Sequence, residues 1–163
     1  MSDNSAIDNL TSVSTGELLE RVGMLTSEGE PRRSNPLSDP PAFRELASRL
    51  TGIVTKPYDL IVVRDLFGDR VLGYQISLIT GRPVAVSYDV EGMIVLGSGG
   101  TVPRGERALI AADVHFTPHS IQAAASGIEQ AGLEVAGGAT MLQIAPEEYA
   151  FPVWTLKDRN QIS

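Results

Sequence analysis

Polar side chains that could bind or transform a ligand are concentrated in two short segments, residues 64–70 and 113–120. Each segment directly follows an apolar run, which is typical of a strand buried in a sheet. In open α/β sheets, ligands bind beyond the carboxyl ends of the strands, close to the N-termini of the following helices. These two segments are therefore the predicted ligand site. Its candidate residues are Arg64, Asp65, Asp69, Arg70, Asp113, His115, Thr117, His119 and Ser120.

The two histidines of the chain admit more than one interpretation. His115 and His119 lie four residues apart, a spacing that could hold a metal ion. We favour a structural interpretation, with His115 in an exposed loop and His119 at a helix start, because a proline lies between them and only one carboxylate is close. Alternatively, His115 beside Asp113 could act as a general base, since an unperturbed imidazole has a pKa of about 6.5.

Other candidates also have a structural interpretation beside the functional one. Thr117 can serve as a helix N-cap with Pro118 at the first helical position. Asp65 and Asp69 could bind magnesium together with a substrate, although exposed loop aspartates are more often simply solvated. Asp113 could be a turn cap, but its place at a predicted strand end favours a ligand contact.

The elements that position these residues alternate along the chain. Ser14 and Glu17 form a predicted capping box, and Asp39 with Pro40 begins a second predicted helix that Gly52 ends. Further on, strands alternate with helices, which is typical of βαβ units. We therefore expect an α/β fold with a mostly parallel central sheet, helices on both faces and a small N-terminal helical segment. The strands are predicted at residues 60–63, 84–86, 93–96, 108–112 and 135–142, and the helices between them at 70–80 and at 117 or 118 to 131.

Length and composition limit the class of protein. With 163 residues, a single domain is expected over residues 14–163, after a disordered or loosely held segment 1–13. The absence of cysteine excludes disulfides, thiol nucleophiles and cysteine-ligated metals. A net charge of −7 argues against a nucleic-acid partner. No apolar run approaches the roughly 20 residues of a membrane span, and the polar start is unlike a signal peptide. We therefore expect a cytoplasmic protein with no membrane partner.

Residues 108–135 resemble the signature of the type I phosphoribosyltransferases. In that family an apolar strand is followed by two acidic residues, a threonine-containing loop, a hydroxyl residue, a helix and an Ala-Gly-x-x-Val turn. Here Asp113, Thr117, Ser120 and residues 131–135 occupy those positions. The order of the preceding segments is similar to that of the orotate phosphoribosyltransferase branch. Residues 64–70 fall at the position of its pyrophosphate loop, and residues 88–100 at that of its flexible hood.

The resemblance implies an enzyme that makes a nucleotide from a base and phosphoribosyl pyrophosphate (PRPP) with Mg²⁺. Asp113 would then hold the ribose and the metal ion, while Thr117 and Ser120 would hold the 5′-phosphate at a helix N-terminus. The other substrate contacts would come from residues 64–70 and from His119. The resemblance also implies a homodimer, in which Arg32 or Arg33 could reach the partner's site.

Several positions depart from the family signature. Ala112 stands at its first acidic position, Phe116 replaces a threonine, and Pro118 replaces a glycine and removes a backbone N–H from the phosphate loop. Residues 83–103 contain no lysine, arginine or histidine, whereas a polyanionic substrate needs charge-assisted donors. Whether the chain is an enzyme therefore stays open. We favour a diverged orotate phosphoribosyltransferase-like protein that transfers or binds a 5-phosphoribosyl group; the alternative is a non-catalytic regulatory or structural subunit on the same fold that binds a nucleotide or sugar phosphate.

Overall fold

A computed structural model describes residues 10–97, 106–115, 118–144 and 148–158. In chain order these residues form a 3-10 helix at Leu10–Ser12, then α1 at Thr15–Arg21, α2 at Pro40–Ile53, β1 at Leu60–Arg64, α3 at Phe67–Thr80, β2 at Val84–Val90, β3 at Met93–Gly97, β4 at Arg107–His115, α4 at Pro118–Gln130, β5 at Glu134–Gln143 and β6 at Val153–Asp158. No helix in this part of the chain is long and apolar enough to cross a membrane.

One sheet contains all six strands, in the order β3-β2-β1-β4-β5-β6. Neighbouring strands are parallel except β2 and β3, which form an antiparallel pair at one edge. The expected α/β class with a mostly parallel sheet is therefore confirmed. The sequence does not predict β6, because its partly buried side chains include Lys157 and Asp158 and form no continuous apolar run.

Helices cover both faces of the sheet, and the side chains of each strand alternate between the two faces. In β1, Ile61 and Val63 belong to the core that α1, α2 and α3 cover, whereas Leu60 and Val62 belong to the core on the side of α4. All four side chains are buried. Since neither face of β1 meets water, the strand is apolar throughout and shows no polar alternation.

The helices ahead of the sheet begin at side-chain caps. Ser14 Oγ accepts a hydrogen bond from the Glu17 N–H at 3.2 Å, and Asp39 Oδ1 accepts one from the Ala42 N–H at 3.1 Å. Both predicted N-caps are therefore confirmed. Leu10 is already buried, so packing begins before Ser14, the expected start of the ordered domain.

Two helix boundaries differ from the prediction. α2 continues through Gly52 and ends at Ile53, so that glycine does not end the helix. α3 begins at Phe67 and not at Arg70, and its N-cap residue Leu66 makes no side-chain capping bond. Because no local capping signal marks this start, the sequence places it too late. As a consequence, Asp69 and Arg70 lie in the first turn of a helix and not in a loop.

Candidate functional site

The two candidate segments meet at one edge of the sheet. β1 and β4 are adjacent and parallel, with Val63 opposite Ala111, so their carboxyl ends lie side by side. Arg64 is the last residue of β1, Asp113 lies near the end of β4, and Asp69 lies in the first turn of α3. The fold thus brings three charged side chains together from three elements.

Arg64 and Asp69 form a two-point ion pair. Arg64 Nε lies 2.5 Å from Asp69 Oδ2, and Arg64 Nη2 lies 3.1 Å from Asp69 Oδ1. Asp69 Oδ1 also accepts the backbone N–H of Asp113 at 2.9 Å. The Asp69 side chain is fully buried and that of Arg64 is 14% exposed. Both oxygens of this carboxylate are therefore occupied by donors from the protein itself.

Burial raises the pKa of the Asp69 carboxyl to about 7, because removal from water penalises its charged form. The Arg64 guanidinium opposes this effect, whereas the neighbouring Asp113 adds to it. The pair and Asp113 together contain two carboxyl groups and one guanidinium, so the excess of buried negative charge favours uptake of a proton by Asp69.

Asp113 is also engaged within the protein. Its Oδ2 accepts a hydrogen bond from the hydroxyl of Ser34, and its Oδ1 accepts the N–H of Val114 at 2.6 Å. Arg64 Nη2 lies 3.9 Å from the same Oδ1. The Asp113 side chain is 8% exposed. This carboxylate therefore faces protein donors and hardly touches solvent.

Ser34 and Gly68 also belong to this site; the sequence does not predict Ser34, and Gly68 lies in the predicted segment 64–70 without being one of its candidate residues. Ser34 lies 79 positions before Asp113, and nothing in its neighbourhood in the sequence points to that contact. A Cβ on Gly68 would overlap Asp113 Oδ2 and Ser34 Oγ, so only a glycine lets these groups approach α3 so closely. A glycine inside a helix can signal close packing, but the sequence places the start of α3 after Gly68, so this signal becomes readable only once the helix start is known.

The remaining donors of Arg64 tie the ends of β1 and β4 to α4. Its Nη1 donates to Ser120 Oγ at 3.0 Å, and its Nη2 donates to the Val114 carbonyl at 2.9 Å. Ser120 lies in the first turn of α4. One guanidinium thus connects both strand ends with two helix starts, which gives Arg64 a structural role in the site.

Asp65 and Arg70 form a second, more exposed pair. Arg70 Nη2 lies 2.5 Å from Asp65 Oδ1, and the two side chains are 46% and 52% exposed. Arg70 also donates to the Tyr88 hydroxyl at 3.2 Å, with its guanidinium 5.7 Å from the centre of that ring. This pair borders a cavity of about 350 Å³, lined by Val63, Arg70, Tyr74, Val84, Val86, Tyr88 and Gly97.

The chain is similar in structure to several phosphoribosyltransferases. Adenine phosphoribosyltransferase from Thermoanaerobacter pseudethanolicus matches with a TM-score of 0.68 and 18% identity, over 86% of this chain and 99% of the other. Mycobacterium tuberculosis orotate phosphoribosyltransferase in complex with PRPP matches with a TM-score of 0.65 and 19% identity, over 91% of this chain and 98% of the other. Leishmania donovani UMP synthase matches with a TM-score of 0.68 and 15% identity, over 92% of this chain but only 37% of the other, so the chain spans about a third of that protein. The chain has the type I phosphoribosyltransferase fold. No protein-family model matches it.

The similarity extends to adenine and orotate phosphoribosyltransferases alike, so it does not select the orotate branch that the sequence suggested. Within the phosphoribosyltransferase fold, four of the nine candidate residues lie in one cluster, and Asp65 and Arg70 lie beside it. The side chains of His115 and His119, and the whole of Thr117, lie outside the described residues. The clustered residues are Arg64, Asp69, Asp113 and Ser120.

The segment at the hood position of this fold is a β-hairpin as far as Gly97. β2 and β3 pair from Val86 with Gly97 to Val90 with Met93, and the turn holds Glu91 and Gly92 at positive φ. The described part of the hood is therefore joined to the central sheet by a hydrogen-bonded ladder. Residues 98–100 of the expected hood lie outside the described part of the chain.

Mg²⁺, which the resemblance implies, does not fit Asp69 and Asp113 as they are arranged. Asp69 accepts from Arg64 and the Asp113 N–H, and Asp113 accepts from Ser34 and Val114. The described residues also contain no group of three or more acidic, histidine or cysteine side chains that could hold a metal ion. Coordination here would require the loss of contacts that the protein makes to itself.

Proposed function

We propose that this chain is a non-catalytic regulatory or structural subunit built on the phosphoribosyltransferase fold. The observation that carries the proposal is the enclosure of Asp113, whose two oxygens accept hydrogen bonds from Ser34 and Val114. In the family this residue would hold the ribose hydroxyls, and a carboxylate can do so only through lone pairs that are accessible to the ligand. Here each oxygen already accepts one protein hydrogen bond, and the side chain is only 8% exposed, so a ligand has little access to the remaining lone pairs.

The cations near the site support the same proposal. Arg64 is paired with Asp69, and Arg70 is paired with Asp65. Transfer of a phosphoribosyl group releases pyrophosphate, and catalysis of that step depends on donors aimed at the developing negative charge. An arginine whose N–H groups already donate to a carboxyl group offers fewer donors to a leaving group. Stabilisation of the negative charge on a departing pyrophosphate by these arginines is therefore disfavoured.

The ligand class that we propose for a regulatory role is a nucleotide or a sugar phosphate. The M. tuberculosis protein with the same fold was solved with PRPP bound, which supports this class. A diverged transferase is the second candidate, because Ser120 lies in the first turn of α4, where the resemblance places the 5′-phosphate. In that case the chain would act on PRPP with Mg²⁺, and Asp113 and His115 would be its catalytic residues.

A pyrophosphate-release assay separates the two candidates. The purified chain is incubated with PRPP, Mg²⁺ and, in turn, orotate, adenine, xanthine or uracil, with an active orotate phosphoribosyltransferase as the positive control. We expect no release above the level of heat-denatured chain. Release that scales with protein concentration and is lost in the Asp113→Asn variant would establish the transferase and overturn the proposal.

We further propose that the subunit is a cytoplasmic homodimer. An apolar face formed by α3 and the β2–β3 hairpin is open to solvent, and Tyr74 of α3 and Tyr88 of β2 line one cavity on it. Monomers rarely expose contiguous apolar patches of this kind, and a two-fold interface uses the same patch on both copies. The exposed members of the α3–hairpin face are Phe67, Tyr74, Leu78, Val90, Met93 and Val95.

A further inference from the structure

The loop at residues 31–38, named the strap below, crosses the candidate site with a fixed backbone. The Arg32 N–H donates to the Met24 carbonyl at 2.8 Å, and the Asn35 N–H donates to the Val22 carbonyl at 2.8 Å. These two bonds lie on either side of Ser34. The position of Ser34 is therefore set by the backbone of the strap and not only by its own side chain.

The strap brings the Ser34 hydroxyl to Asp113 Oδ2. On the other side, Gly68 leaves no room for any further atom between α3 and these two groups. The remaining oxygen, Oδ1, is held by Val114 and lies close to Arg64. Ser34 thus occupies the acceptor of Asp113 that is not used by the backbone of β4 or by the ion pair.

We infer that the strap is an autoinhibitory element, in which the Ser34 hydroxyl takes the place of a ligand hydroxyl on Asp113. The ligand class is a ribose phosphate, whose hydroxyl groups can donate to a carboxylate as Ser34 does. This inference rests on the proposed function, because it explains why the site is closed in a protein that keeps the charged residues beneath the strap. It adds that the Ser34 hydroxyl competes directly with a ligand hydroxyl for Asp113.

Removal of that hydroxyl breaks the hydrogen bond that holds the strap on Asp113. The backbone bonds of Arg32 and Asn35 do not involve the Ser34 side chain, so a ligand has to displace the strap in both proteins, but in Ser34→Ala it no longer has to break the hydrogen bond to Asp113. Asp113 Oδ2 then lacks its partner, and an unsatisfied, nearly buried carboxylate oxygen strongly favours a new donor. A hydroxyl group of a bound sugar phosphate can supply it.

The test is a titration of ribose 5-phosphate by calorimetry, without added metal, into the full chain and its variants. Ser34→Ala is expected to bind at least tenfold more tightly than wild type. Ser34→Thr keeps a hydroxyl group and is expected to bind as wild type does. The matched control is Ser38→Ala, because the Ser38 hydroxyl lies on the same strap and, within the described residues, bonds only to the carbonyls of Arg21 and Asn35. It is expected to leave binding unchanged.

Equal affinity of folded Ser34→Ala and wild type would overturn the inference, as would an equal gain in Ser38→Ala. Should Ser34→Ala fail to fold, Ser34→Gly removes the same hydroxyl and carries the same expectation. Failure here is distinct from failure of the proposed function, which depends on pyrophosphate release by wild type. If wild type releases no pyrophosphate and the Ser34 variants bind ribose 5-phosphate no more tightly than wild type, only the autoinhibitory role of the strap is contradicted.

Discussion

At the scale of single residues, the Arg64–Asp69 pair shows how the site uses its charge for its own structure. Both side chains are largely removed from water, and desolvation of two charges is unfavourable unless they pair and make further hydrogen bonds. Here those bonds are present, since Arg64 also reaches Ser120 and Val114 and Asp69 accepts the Asp113 N–H. The pair therefore fixes the geometry of the strand ends more than it offers a charge to a ligand.

Loss of one member of this pair is expected to destabilise the fold. At a pH above about 7, where Asp69 is charged, Arg64→Met leaves a buried carboxylate without its cation, and breaking a buried pair in this way costs about 3–5 kcal/mol. Urea unfolding followed by circular dichroism measures the change. Arg70→Met is the matched control, because the Arg70–Asp65 pair is exposed and its loss is expected to change stability little. Equal stability of Arg64→Met and wild type would contradict the structural role of Arg64.

The raised pKa of Asp69 predicts a pH dependence of stability. The folded carboxyl has a pKa of about 7 against an ordinary value of 3.8, so the folded state holds this proton more tightly than the unfolded state. Its contribution to stability is fully present below about pH 4 and is lost as the pH rises towards 7. Urea unfolding at intervals across this range measures the effect.

The isosteric Asp69→Asn variant isolates the contribution of this carboxyl group. The amide side chain of the variant cannot titrate, so the difference in unfolding free energy, wild type minus variant, is expected to fall as the pH rises from about 4 to about 7. A difference that rises with pH would show instead that Arg64 holds Asp69 in its charged form with a lowered pKa.

At the scale of elements, the start of α3 is decided by close packing. Gly68 lies in its first turn, where a Cβ would overlap Asp113 and Ser34. α3 can therefore approach β4 and the strap only with a glycine at this position. This packing, and not a side-chain cap at Leu66, places Asp69 against Arg64.

Gly68→Ala is expected to destabilise the protein although alanine favours helix formation. Forcing a methyl group into a packed site costs about 1–3 kcal/mol, which exceeds the gain of roughly 1 kcal/mol in helix propensity. Gly52→Ala in α2 is the matched control, because a Cβ there meets no atom within 4 Å. It is expected to stabilise the protein by up to about 1 kcal/mol. Thermal unfolding measures both variants, and an unchanged Gly68→Ala protein would contradict the close approach.

At the scale of the whole molecule, the apolar surface is distributed unevenly. β1 and β4 are covered on both faces, whereas the side of β2 and β3 that faces α3 carries exposed Val90, Met93 and Val95. α3 adds Tyr74, which is 60% exposed, and Leu78, which is 63% exposed. Burial of this surface stabilises an assembly by about 25 cal/mol for each Å² removed from water. The α3–hairpin face is therefore where a second copy is proposed to bind.

Tyr74→Glu is expected to convert the proposed dimer into a monomer, because it places a charge at the centre of an apolar interface. Light scattering coupled to size-exclusion chromatography measures the mass. Ser48→Glu, an exposed position on α2, adds the same charge elsewhere and is expected to leave the dimer intact. A wild-type chain that is already monomeric at high micromolar concentration would contradict the proposed homodimer.

The sequence by itself determined the elements whose signals are local. Continuous apolar runs located β1 and β4 because these strands are buried on both faces, and the oxygens of Ser14 and Asp39 marked two helix starts because each caps a nearby N–H. The α/β class followed from the alternation of these elements. So did the position of the candidate site at adjacent strand ends, since the carboxyl ends of parallel strands share one edge of a sheet.

Only the tertiary structure decided how the site residues are used. The contact of Ser34 with Asp113 joins positions 79 residues apart, and no periodicity or cap within a short window of sequence can report it. The same holds for β6, which is a strand because it pairs with β5 although its side chains show no strand pattern. It also holds for the early start of α3. Local patterns specify elements, whereas the closure of the site depends on long-range packing that the folded chain alone brings together.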